Sequence, residues 1–195
     1  FYMAAVLASV LLLAACQPST APGITKEVVL QGKTMGTTYS VKLVSPDKIV
    51  KKEDLFQQVD SLLKEINQQM STSIDDSELS LFNQSKNTDS VIASQPLHFV
   101  ITEAIRLGKL TEGKLDVTVG PLVNLWGFGP DKRPVTMPSD ADLALIKQQI
   151  GIDKLFVEDN RIGKTHPDVY VDLSTIAKGY GADAVADLLL EKGIT

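Results

Sequence analysis

Cysteine is nearly absent from this chain. Cys16 is the only one among 195 residues, so neither a disulfide framework nor a thiolate metal cluster can be drawn. Histidine is almost as scarce: His98 and His166 stand far apart, which leaves a hard, oxygen-bound cation, magnesium first, as the metal this composition favours. Basic runs are missing, and 24 Asp plus Glu outweigh 19 Lys plus Arg for a net charge of −5. That balance argues against nucleic acid as a partner. No G-x-G-x-x-G, Walker or G-x-S-x-G pattern occurs, which excludes ordinary dinucleotide cradles, P-loops and serine-hydrolase elbows. What is present is 44% hydrophobic and 22% charged, the balance of one globular domain. A domain of this size buries roughly 70% of the surface its unfolded chain exposes and needs no covalent staples.

Charge is also absent from the start of the chain, where the first charged residue is Lys26. Phe1 to Cys16 is apolar but for Ser9 and ends Leu13-Ala14-Ala15-Cys16. A bilayer span needs about 20 apolar residues, so this segment reads as the hydrophobic part of a secretion signal. Leu-Ala-Ala-Cys is similar to a bacterial lipobox, in which the cysteine is lipidated and becomes the new N-terminus. Gln17 to Gly23 then reads as a flexible tether. The expected organisation is a signal over 1–16, a tether over 17–26 and a domain over 27–195. The signal lacks a basic flank, and the chain stops after a helix at Gly193-Ile194-Thr195. The sequence therefore reads as an N-terminal fragment.

Periodicity organises the rest. Val28–Leu30 and Thr38–Val44 read as strands around Met35-Gly36, and Lys52–Met70 as an amphipathic helix. Ser71–Ser77 is a polar loop and Glu78–Phe82 a short helical turn. Pro96–Thr111 is a helix ended by Gly113, and Ser139–Ile150 another capped by Ser139. Leu115–Val119 reads as a strand or extended segment, while Gly120–Pro130 fits no period. Leu155–Glu158 and Arg161–Lys164 form a hairpin at Asp159-Asn160. A strand Val169–Val171 leads into a helix Thr175–Glu191. This irregular order predicts an α+β fold, a mixed sheet with packed helices.

The densest chemistry lies in Asp172-Leu173-Ser174-Thr175-Ile176-Ala177-Lys178-Gly179-Tyr180. A strand-to-helix junction presents free N–H groups at the positive end of a helix, a place that holds phosphates. Asp172 and Lys178 would serve a ligand with both a polar edge and an anionic part. Ordinary capping by Ser174 beside a solvated lysine explains the same residues equally well. At Met35-Gly36 a glycine admits close approach and a methionine offers a flat-ring contact, though a simple turn explains it too. Asp116 of Lys114-Leu115-Asp116 could bond a heterocycle edge or merely cap. Trp126 reads first as a core anchor, and Asp75, Asp76 and Glu78 as a solvated loop.

Taken together, Lys33–Tyr39, Met70-Ser71-Thr72 with Ser77–Asn83, Gly113–Gly129 and Asp172–Tyr180 resemble the ApbE family of FAD:protein FMN transferases. The resemblance covers almost all the chain after the tether. It implies an ApbE-like, T-fold-related architecture truncated at the C-terminus. It also implies magnesium-dependent cleavage of FAD, release of AMP, and transfer of FMN to a threonine hydroxyl of an acceptor redox protein. The family's lipid anchor in the bacterial cell envelope, facing the periplasm, matches the Cys16 reading. By resemblance, Met35, Ser73, Lys114, Leu115, Asp116, Asp172 and Lys178 contact FAD, and Thr175 supplies one oxygen to magnesium. Ser73 stands where many members carry tyrosine. The family's other metal ligands and the residue that activates the acceptor lie further toward its C-terminus, so no catalytic residue is assigned here and the fragment is expected to be inactive. A non-catalytic FAD-binding lipoprotein and an FAD pyrophosphatase are the alternatives.

Overall fold

The computed structural model describes residues 26–45, 51–128 and 137–194. The signal segment, Cys16 and the tether as far as residue 25 lie outside the described residues. Strands β1 (Lys26–Thr34) and β2 (Thr37–Ser45) form an antiparallel hairpin in which Thr34 pairs with Thr37 and Leu30 with Val41. Its two-residue loop is Met35-Gly36. Alternation along the strands turns Leu30 and Leu43 inward.

Helix α1 (Lys52–Met70) buries Leu55, Val59, Leu63, Ile66 and Met70, a stripe repeating every three or four residues. Each such side chain contributes roughly 1.5–3 kcal/mol when fully withdrawn from water. The stripe serves two cores. Leu55, Val59 and Leu63 pack with Leu30, Leu43 and Val185, whereas Ile66 and Met70 join a larger cluster that includes Leu79, Leu97, Ile101, Val169 and Val171.

Helix α2 (Glu78–Gln84) is capped by Ser77, whose hydroxyl accepts from Ser80 N, and α3 (Gln95–Leu110) by Ser94. The end of α3 differs from expectation by one residue. Glu112, at φ 53°, takes the left-handed position that closes the helix. Glu112 N bonds Lys109 O at 3.1 Å and Gly113 N bonds Gly108 O at 2.8 Å, a Schellman pair. Gly113 follows, also left-handed at φ 77°.

Gly120–Leu125, which fits no period in the sequence, forms a short helix α4. Helix α5 (Asp140–Lys147) carries a full capping box between Ser139 and Asp142 but stops three residues short of Ile150. A 3₁₀ turn (Ile152–Lys154) leads into β4 (Leu155–Glu158) and β5 (Arg161–Lys164), which are joined in one sheet by the short strand β3 (Val91–Ile92) that lies between α2 and α3. Their order is β3-β5-β4, with every pair antiparallel. Helix α6 (Ala177–Glu191) packs on α1. The class is α+β as expected. Among the described residues, however, the strands form two separate antiparallel sheets rather than one mixed sheet.

Val169–Val171, expected as a strand, is not one, and Leu115–Val119, expected as a strand or extended segment, is a turn. At Leu115–Val119 the Asp116 carboxylate accepts from Thr118 N (2.8 Å) and Thr118 Oγ1 (2.6 Å), folding the segment into a turn. Val169 and Val171 are buried but belong to no strand, and a side chain serves Val171: the Asn83 amide donates to Val171 O and accepts from Val171 N, each at 2.8 Å. Next along, Asp172 N bonds Val117 O at 2.8 Å.

Candidate functional site

The hairpin loop is the first unusual element. Met35 (φ 48°) and Gly36 (φ 69°) both adopt positive φ, the signature of the tight turn that matches strand twist. Glycine does so freely, whereas a methionine pays about 1–2 kcal/mol. Held there, Met35 packs against the larger core and against α6, where a methyl built on Gly181 would stand 3.3 Å from Met35 Cε.

Beneath this loop lies a cavity of about 240 Å³ with polar and apolar walls in nearly equal measure. Met35, Gly36, Asn67, Ser73, Ser174 and Lys178 are among its lining residues. A second cavity of about 430 Å³, almost wholly apolar, runs between the hairpin and α6. Leu63, Tyr39, Val185 and Leu189 line it, and Met35 and Lys178 line both cavities. Its volume falls within the usual range of small-molecule sites, about 300–1,000 Å³. The Tyr39 hydroxyl is buried and has no hydrogen-bond partner among the described residues. Burial, and then the charge of Asp60, hold its pKa above the ordinary value, so it stays a neutral donor.

Three of the expected ligand contacts, Met35, Ser73 and Lys178, therefore meet around one cavity. Ser174, next to the expected Thr175, joins them. The Asp172 carboxylate accepts from Ser174 N (2.8 Å) and Ser174 Oγ, and this closes the turn that precedes α6. The helix begins at Ala177, two residues later than expected, with no side-chain cap at Ile176. A carboxylate-closed turn thus precedes the helix start.

Asp116 lies beside Asp172 through the backbone bond from Asp172 N to Val117 O. Gly120 packs against Tyr170 and Asp172: a methyl there would stand 2.9 Å from the Tyr170 ring and 3.8 Å from Asp172 Cβ. Leu115 packs against the larger core. Lys114 is exposed beside Glu112, 3.7 Å away, and Thr175 is exposed on its turn; neither lines either cavity.

The sequence model of the ApbE family matches residues 35–195, from the hairpin loop through α6. The chain belongs to the ApbE family. It is 50% identical over 188 residues to a FAD:protein FMN transferase of Vibrio cholerae, covering 96% of this chain and 55% of that relative. A protein of the same name from Haemophilus influenzae is 48% identical over 189 residues, with 94% and 53% covered. Among solved structures, the flavin transferase ApbE of Vibrio cholerae superposes with a TM-score of 0.83 at 50% identity, over 87% of this chain and 55% of that one. The apo flavinyl transferase ApbE of Pseudomonas stutzeri gives 0.82 at 31% identity, over 88% and 57%. The chain thus spans about half the length of the curated relatives it matches.

In this ApbE-family chain the Ser77–Asn83 motif, quoted for resemblance alone, proves to be scaffolding. Ser77 Oγ and Ser80 Oγ both donate to Ser71 O, which fixes the loop bearing Ser73. Glu78 Oε1 accepts from Ser94 N at 2.6 Å, tying α2 to the start of α3. Asn83 holds Val171. The regular spacing of small polar residues was the available signal. What they bind, residues 6 to 88 positions away, was not in it.

Proposed function

We propose that the protein transfers FMN from FAD to a threonine hydroxyl of an acceptor redox protein, with magnesium, releasing AMP. The observation that carries this reading is the convergence of Met35, Ser73 and Lys178 on adjoining polar and apolar cavities. A molecule with a flat ring and a charged chain needs both. Met35 would lie against the flavin, its polarizable sulfur suited to a ring face, with the backbone cost of its turn borne for that placement. Lys178, at the seam of the two cavities, would meet the anionic part. Ser73 offers a hydroxyl where an aromatic ring would give stacking. Lys114, Leu115, Asp116 and Asp172 would form the more distant contacts along the backbone-linked 114–120 and 170–172 segments.

In the reaction the acceptor oxygen bonds the flavin-side phosphorus. The bond from that phosphorus to the bridging oxygen breaks, AMP leaves with the electron pair, and the hydroxyl proton passes to a base. None of the described residues is assigned that base. Among the described residues no three Asp, Glu, His or Cys side chains come together as a metal cage. The donors at hand are hydroxyl, carbonyl and single carboxylate oxygens, Thr175 among them, a partial set of the kind a hard cation takes when it also holds phosphate oxygens. Magnesium, when bound, supplies neutralisation of the pyrophosphate charge.

Incubating the full-length protein with FAD, magnesium and an acceptor domain should give a flavin-fluorescent acceptor band, lost when the acceptor threonine is replaced. Free FMN without an acceptor would instead identify a pyrophosphatase, and tight FAD binding without AMP release a flavin carrier. No described helix is long and apolar enough to cross a membrane. We place the attachment at Cys16, with the domain facing the periplasm. Acyl chains on that cysteine would each add about 0.8 kcal/mol per buried CH₂, so Cys16→Ala should move the protein from the membrane to the soluble fraction.

A further inference from the structure

Lys164 is the largest of the fully buried side chains, with 1% of its surface exposed. It occupies the inward face of β5, two residues from Ile162, where alternation calls for an apolar residue. Among the described residues no carboxylate forms a salt bridge with it: the nearby Asp168 pairs with Lys86 instead. An ammonium has three donors and no acceptor, and here all three are used. They reach Phe82 O (3.2 Å), Asn83 O (3.4 Å) and Val169 O (3.2 Å), with Nζ 5.2 Å from the centre of the Phe82 ring.

Two of those carbonyls belong to the last turn of α2, where helix carbonyls lack intrahelical partners and the dipole is negative. The third belongs to the segment that runs into Asp172. Asn83, on the same last turn, takes both backbone groups of Val171 at 2.8 Å. Lysine and asparagine thus grip Val169 and Val171, the work a neighbouring strand would otherwise do. Asp172 N–H is then held by Val117 O, and its carboxylate closes the Ser174 turn at the cavity.

We propose that Lys164 and Asn83 are positioning residues of the site, clamping Val169–Val171 to the end of α2 so that Asp172 and the Ser174 turn stand at a fixed depth beside Lys178. The proposal rests on the FAD reading given above for its ligand. A buried, unpaired ammonium is a costly way to gain stability alone, since an apolar residue of the same length would fill the space with less desolvation. What only the ammonium supplies is simultaneous hold on three carbonyls from two segments.

The test compares Lys164→Met, which keeps the stem and removes the donors, with Asn83→Ala, which leaves the lysine bonds in place. In the full-length protein each should raise amide hydrogen exchange at Val171 and Asp172 at least tenfold, leaving the β1–β2 hairpin unchanged. Each should also weaken FAD binding by a similar factor, and Lys164→Arg should restore part of both. Variants that lose thermal stability while keeping FAD affinity and Val171 exchange would overturn the proposal. So would failure of both variants to fold, which would assign the two residues to global folding. If the unaltered protein binds no FAD, the functional reading fails instead, and exchange at Val171 and Asp172 alone decides the clamp.

Discussion

Met35 holds a left-handed backbone that asparagine would hold at little cost, so the residue type at this turn is chosen by something other than the turn. Met35→Asn tests this directly. Relief of about 1–2 kcal/mol of backbone strain should offset the packing lost against the larger core, leaving stability within about 1 kcal/mol of the parent in denaturant titration. FAD affinity should fall up to about tenfold, the worth of a sulfur–ring contact. Unchanged affinity would return Met35 to the role of an ordinary turn residue. The sequence made this residue visible because Met-Gly between two alternating segments is an odd turn. It also offered Lys178, whereas Ser73 entered through the family resemblance alone. That all three share one cavity depends on α1, the hairpin and α6 meeting, which no local pattern encodes. Lys164 was hidden for the opposite reason: at the end of a short strand a lysine looks solvated, and its three partners come from residues up to 82 positions away.

Elements with a strong internal period were legible nearly to the residue. Helix α1 and the β4–β5 hairpin run as their patterns require. Val169–Val171 was misread because a buried apolar run looks the same whether a strand or an asparagine amide satisfies its backbone. The two-residue β3 is too short to carry any alternation. Helix α6 offers a paired prediction at this scale, since it contains two early glycines with different surroundings. A methyl at Gly179 meets nothing within 4 Å, whereas one at Gly181 meets Met35 Cε at 3.3 Å and Leu63 at 3.5 Å. Gly179→Ala should therefore stabilise the protein by about 1 kcal/mol through helix propensity and leave FAD affinity unchanged. Gly181→Ala should gain less stability, because Met35 must give way, and should weaken FAD binding. Equal effects of the two substitutions on binding would show that Met35 does not report to the ligand through α6.

For the molecule as a whole, the candidate site lies along the seam between two cores that α1 joins. Leu63 belongs to one core and Ile66 to the other, and Met35 leans on the larger. The larger core contains the buried lysine, and this gives global stability an alkaline signature. Burial lowers the Lys164 pKa from its ordinary 10.5; Lys86 lowers it further, and Asp168 opposes them. In the window between that lowered value and 10.5, the unfolded chain holds a proton that the folded protein has released. Stability then rises with pH across the window, and below it the folded state carries a constant penalty. Tyr39 and Tyr180, both raised above 10.0 chiefly by burial, act in the opposite sense as pH climbs past 10.0, because the unfolded chain ionises them first. Comparing the protein with Lys164→Met cancels the tyrosines. The stability of the parent relative to this variant, from urea titrations between pH 7 and 10.5, should therefore increase with pH. A flat difference would mean that the three carbonyls hold the ammonium charged throughout, outweighing its desolvation.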